Sequence, residues 1–136
     1  GYTDALKKYN DTTSVIFLEE SLHGDKLKTA RRVFTEKIIA SLPDVIITSN
    51  DLIAQGIISA AHENGINIPN DMQITGFDDS LSSGYFIPSV TTVSQNIDKL
   101  AKRCFSMLMD LINKKSAVSS IIEQNIIARN SAKINI

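Results

Sequence analysis

Three stretches place polar side chains of a ligand-binding kind at the ends of apolar runs: Glu19-Glu20-Ser21, Ser49-Asn50-Asp51 and Asp78-Asp79. An ionised carboxylate can accept from two vicinal hydroxyls, and a primary amide both donates and accepts. Gathered on one edge, Glu20, Asn50, Asp78 and Asp79 would suit a hydroxyl-rich or amine-bearing ligand. Backbone amides there could hold phosphate only where no carboxylate opposes it. The same residues have structural uses: an Asp pair closes a turn, and Asn50 can cap the helix that follows it.

No catalytic constellation accompanies them. The chain contains no G-x-G-x-x-G, no G-x-x-x-x-G-K-S/T and no G-x-S-x-G. Its two histidines, His23 and His62, fall in a loop and on the polar arc of a helix, with no cysteine at ligand spacing. No metal or cofactor is expected, and the chain reads as a binding module rather than an enzyme.

The polar ends need a scaffold. Apolar runs at 14–18 and 45–48 have the continuity of strands covered on both faces. Pro69-Asn70-Asp71 turns the chain into a third strand over 72–77, in which Gly76 permits close approach of a backbone or ligand. Helical periodicity marks 3–9 and then 26–41, where Leu27, Ala30, Phe34 and Ile38 alternate with Lys28, Arg31, Arg32 and Glu36. In the helix over 52–64, Gln55, Ser59, His62 and Glu63 share a narrow polar arc. The apolar remainder spans roughly 200°, wider than one packed face requires. That helix should be covered twice, by the sheet and by a neighbouring helix or a second copy of the chain.

Gly65 follows as a C-cap. The loop from Ser80 to Pro88 ends in Tyr85-Phe86-Ile87, which either forms a contact site or is buried beneath the loop itself. A strand over 90–94, a helix over 97–113 capped by Asn96 and carrying Cys104 as a packed thiol, and a strand over 121–128 complete the pattern. This alternation implies an α/β fold, a parallel sheet covered by helices on both faces. Ligands bind such sheets at the carboxyl ends of the strands, where the three polar stretches should converge.

Composition narrows the class. With 136 residues, 43% hydrophobic and 21% charged, the chain suits one soluble globular domain. A net charge of −1 without a basic cluster argues against nucleic-acid binding by this segment alone. A single cysteine excludes an internal disulfide and fits a reducing compartment, and no apolar run is long enough to span a membrane. Beginning on Gly1 without a signal-peptide pattern, the chain is expected to be a piece of a longer protein.

Several segments together resemble one family. Pro43-Asp44-Val45-Ile46-Ile47-Thr48-Ser49-Asn50-Asp51, continuing through Ala54 to Gly56, is similar to its Asn-Asp motif. Gly65-Ile66-Asn67-Ile68-Pro69-Asn70-Asp71, Ile74-Thr75-Gly76-Phe77-Asp78-Asp79, Pro88-Ser89-Val90-Thr91-Thr92-Val93-Ser94-Gln95 and Arg129-Asn130-Ser131 follow in the family's order and at its spacing. On these five motifs the chain resembles the lactose-repressor (LacI/GalR) family of bacterial transcription regulators over essentially its whole length.

The resemblance implies the C-terminal lobe of a type I periplasmic-binding-protein-like effector core. The second lobe would comprise 1–95 and 120–136, and the helix over 96–115 would belong to a first lobe absent from this chain. It implies a small-molecule effector, a sugar or sugar-like compound, held by Asn50, Asp78, Asp79 and Glu20. It further implies a cytoplasmic homodimer using Ile53, Ile57, Tyr85 and Phe86, and operator DNA bound only through an N-terminal headpiece that this chain lacks. The family's arginine upstream of Gly1 lies outside the chain, and no stacking aromatic follows the first strand. An alternative of the same fold is a periplasmic-type sugar-binding protein of a transport system.

Overall fold

The computed structural model describes residues 2–9 and 24–134. The strand expected at 14–18, the polar end Glu19-Glu20-Ser21 and His23 lie outside the described residues.

Helix α1 spans Tyr2–Tyr9. Helix α2, Lys26–Val33, starts where Asp25 accepts a hydrogen bond from Lys28 N at 3.1 Å, satisfying one of the unpaired N–H groups of the first turn. It continues into a π-helical turn, Phe34–Ile38, closed by Ile39 N donating to Phe34 O at 3.0 Å. Ala30 and Phe34 turn inward and are buried, while Lys28, Arg32 and Glu36 face solvent.

Strand β1 (Val45–Ile47) pairs in parallel with β2 (Gln73–Thr75), Ile46 opposite Ile74. Between them runs α3, Asp51–Glu63. It ends in paired bonds from Ile66 N to Ala61 O (2.9 Å) and Gly65 N to His62 O (3.1 Å), with Gly65 at φ 73°. That reversal needs a left-handed residue, which glycine supplies without steric cost.

Strand β3 (Thr92–Ser94) lies on the other side of β2, tied in parallel by Gly76 N to Thr91 O (2.8 Å) and Asp78 N to Val93 O (3.0 Å). Strand β4 (Asn125–Ile127) pairs with β3 antiparallel. The sheet is therefore parallel except at its final edge. The chain reaches that edge strand through a helix and a long segment without regular secondary structure, so it can return in either direction.

The core lies between this sheet and α2 and α3. Ala54, Ile57, Ile58 and Ala61 of α3 meet Phe34, Met72, Ile74 and Val90. Fully burying the larger of these, the Ile, Phe, Met and Val side chains, contributes about 1.5–3 kcal/mol each. The second cover for α3 is α2: a Cβ on Gly56 would lie 2.6 Å from Leu27 O, so only glycine permits this approach. The wide apolar arc of α3 is thus accounted for within the chain.

Several local expectations are corrected. Gln55, placed by periodicity on a solvated arc, is 3% exposed, because the loop that contains a 3-10 turn at Leu81–Gly84 folds over it. Its Nε2 donates to Ser82 Oγ at 2.8 Å. On β1, Val45 and Ile47 remain 45% and 55% exposed, so this strand is covered on one face only. Asn96 takes a left-handed conformation (φ 51°) and makes no side-chain cap; its Nδ2 donates to Glu123 O instead. Helix α4, Ile97–Ile112, buries none of its residues, so Cys104 is exposed rather than packed. Among the described residues no helix is long and apolar enough to cross a membrane.

Candidate functional site

Because β1 and β2 run in parallel, the residues following each emerge at one edge. Asp51 N donates to Phe77 O at 2.9 Å, which fixes Asn50 beside Asp78. Both line an open depression of about 350 Å³ together with Lys26, Asp51, Leu52, Ser80 and Ser82.

Asn50 serves two ends. Its Oδ1 accepts from Ile53 N at 3.0 Å as the N-cap of α3. Among the described residues its Nδ2 has no protein partner. Asp78, half-buried, accepts from Gln95 Nε2 through Oδ1 at 2.6 Å. Among the described residues its Oδ2 has no protein donor. The turn that carries it holds two successive non-glycine residues at positive φ, Asp78 at 109° and Asp79 at 56°. Such geometry persists only when surrounding contacts over-determine it.

Asp79 stands differently. Its Oδ1 is 2.5 Å from Arg129 Nη2, with both side chains about three-quarters covered. Arg129 Nη1 also donates to Val90 O at 2.8 Å. Asp79 instead borders a second depression with Asp78, Ser94 and the first residues of α4. Glu20 lies outside the described residues. Of the four residues assigned to a dimer contact, Ile57 is buried in the chain's own core (4% exposed), whereas Tyr85 is 81% exposed. Ile53 and Phe86 are half-buried against that core.

Three residues of this edge escaped the sequence reading as contributors to geometry. Asp51 is 1% exposed and accepts from Ser80 N, Ser83 Oγ and Thr92 Oγ1 at 2.7, 2.6 and 2.5 Å. Gln95 and Arg129 orient the two following carboxylates. A carboxylate in the first turn of a helix is ordinary, so Asp51 carries no local signal beyond its place in the Asn-Asp motif. Among the described residues no three His, Cys, Asp or Glu side chains gather to hold a metal ion.

A sheet with helices packed against it, carrying an amide and a carboxylate at the carboxyl ends of neighbouring parallel strands, defines one lobe of a type I periplasmic-binding-protein-like domain. The family described as periplasmic binding protein-like domain matches residues 5–132. The chain belongs to this family, within the lactose-repressor (LacI/GalR) group of regulators.

It is 37% identical over 120 residues to the HTH-type transcriptional repressor PurR of Erwinia tasmaniensis, covering 87% of this chain and 35% of that protein. It superimposes on the periplasmic binding ribose operon repressor protein from Lactobacillus acidophilus with a TM-score of 0.79 and 30% identity, over 96% of this chain and 48% of that one. A LacI-type transcription regulator from Bifidobacterium animalis subsp. lactis gives 0.81 and 25%, over 98% and 49%. The chain spans about a quarter to a third of the length of the curated relatives it matches and about half of these solved chains.

Proposed function

We propose that this chain is the effector-sensing part of a bacterial DNA-binding transcriptional regulator, and that a small hydroxyl-rich ligand, a sugar or sugar-like compound, binds against Asn50 and Asp78. The observation that carries this reading is the pairing at one depression of an amide donor, Asn50 Nδ2, with a carboxylate oxygen, Asp78 Oδ2, both without a partner among the described residues. Together they match the donor and acceptor of adjacent sugar hydroxyls. Its similarity to a protein named as a ribose operon repressor makes a pentose the first ligand to test.

In this reading the ligand sits between this lobe and another, outside the chain, to which α4 belongs. It alters operator affinity only in so far as it prefers one closure state of the two lobes. Operator DNA is bound by a headpiece elsewhere in the cytoplasmic parent, and homodimers form over the exposed Tyr85 loop and the half-buried Ile53 of α3. No catalytic step is assigned.

Calorimetric titration of the intact regulator with D-ribose and other aldoses tests the site. A saturable ligand should lose at least about tenfold in affinity in Asp78→Ala, the worth of one hydrogen bond to a charged group. If Asp78→Ala and Asn50→Ala both bind within about twofold of the parent, less than such a bond contributes, the assignment fails.

A further inference from the structure

Asp51 is the buried titratable group of this edge that the proposed ligand contacts do not use. Its carboxylate is 1% exposed and faces no cation among the described residues. It is satisfied by donors from two separate places. Ser80 N and Ser83 Oγ come from the loop after β2, and Thr92 Oγ1 comes from β3. Thr92 Oγ1, having given its proton to Asp51 Oδ1, accepts from Asp79 N at 3.4 Å. The two N–H groups that follow Asp78 are therefore both held by Asp51, one directly and one through a hydroxyl. The positive φ of Asp79 lies between them, and that of Asp78 lies immediately before the first.

We infer that Asp51 is a positioning residue for the ligand site: it imposes the turn that presents Asp78 to the depression. This rests on the effector reading above. A carboxylate accepts from all three donors at once; an amide is accommodated only if the Thr92 hydroxyl reverses, and the bonds that remain lose their charge assistance.

The test compares Asp51→Asn and the isosteric Thr92→Val in the intact protein by amide hydrogen exchange and by D-ribose titration, each with and without Asp78→Asn. Exchange at Ser80 should accelerate at least about tenfold in Asp51→Asn, and exchange at Asp79 in both variants, with Thr48 unaffected. D-Ribose affinity should fall roughly tenfold in Asp51→Asn, and that loss should vanish when Asp78 is already replaced. A merely structural defect would lower the melting midpoint equally in both backgrounds without this non-additivity. Should Asp51→Asn not fold, Thr92→Val carries the test alone, with Asp79 exchange and a several-fold affinity loss.

Unchanged exchange at these amides overturns the inference, as do affinity losses that add independently to that of Asp78→Asn. If Asp78→Asn itself leaves D-ribose affinity unchanged, the ligand reading falls, while the exchange data still decide whether Asp51 holds the turn.

Discussion

Asp79 Oδ1 and Arg129 Nη2 lie 2.5 Å apart across 50 residues of sequence. The pair joins the turn after β2 to the segment after β4, and Arg129 reaches Val90 O from the same guanidinium. Consecutive carboxylates thus have separate tasks. One is anchored to a cation, and its neighbour keeps an oxygen for the depression.

Arg129→Met should therefore cost about 1–3 kcal/mol of stability, since it strips partners from a largely covered carboxylate and a backbone carbonyl. Urea unfolding measures it. Asp79→Asn should destabilise less and leave ligand affinity close to that of the parent. A loss of affinity equal to that of Asp78→Ala would give Asp79 a direct contact.

Gly76 packs against the Asp51 cluster so closely that a Cβ there would sit 2.1 Å from Asp51 Oδ1. Neither atom can retreat, because the carboxylate is held by three donors and Gly76 N is bonded to Thr91 O. Gly76→Ala should cost at least about 3 kcal/mol or prevent folding, as overpacking and breaking a buried network together do. Gly84→Ala, with nothing within 4 Å of the added methyl, should change stability by less than about 0.5 kcal/mol. Thermal unfolding of the two variants side by side checks the contrast.

These relationships explain which parts of the molecule could be read beforehand. The extent of α3, its Asn50 start and its Gly65 end follow from periodicity and capping chemistry, which act within a few residues. The parallel pairing of β1 and β2 follows from the helix between them. Periodicity says which face of a helix is apolar, but not what covers it. Hence Gln55 proved buried beneath a distant loop, and Cys104 exposed on a helix with an open face. The bonds from Asp51 to Thr92 and from Asp79 to Arg129 span 41 and 50 residues, and no local pattern encodes them. That Asn50 and Asp78 would lie at one edge was legible, because strand order brings their neighbourhoods together.

The open face of α4 gives a measurable consequence of assigning it to another lobe. Phe105 and Leu108 are 65% and 53% exposed. Replacing both with lysine should change the stability of this chain by less than about 0.5 kcal/mol per site, as for other exposed positions. In the intact parent the same pair should cost several kcal/mol, because charges would enter an apolar contact. Equal effects in the two contexts would mean that α4 packs on nothing in either.

Asn50 poses a problem for ordinary alanine replacement, since its oxygen caps α3 and its nitrogen is the proposed ligand donor. Asn50→Ala should cost about 1 kcal/mol from the lost cap alone, and any fall in affinity would be confounded with it. Asn50→Asp separates the two roles. Aspartate caps as well as asparagine, so Ile53 N keeps its acceptor and stability should hold within about 0.5 kcal/mol. The donor is gone, however, and a second carboxylate now faces Asp78 across the depression. Affinity for a hydroxyl-bearing ligand should fall at least about tenfold, through the lost bond and the repulsion that remains. Paired calorimetry and urea unfolding on this single variant measure both quantities. Unchanged affinity at unchanged stability would confine Asn50 to its cap.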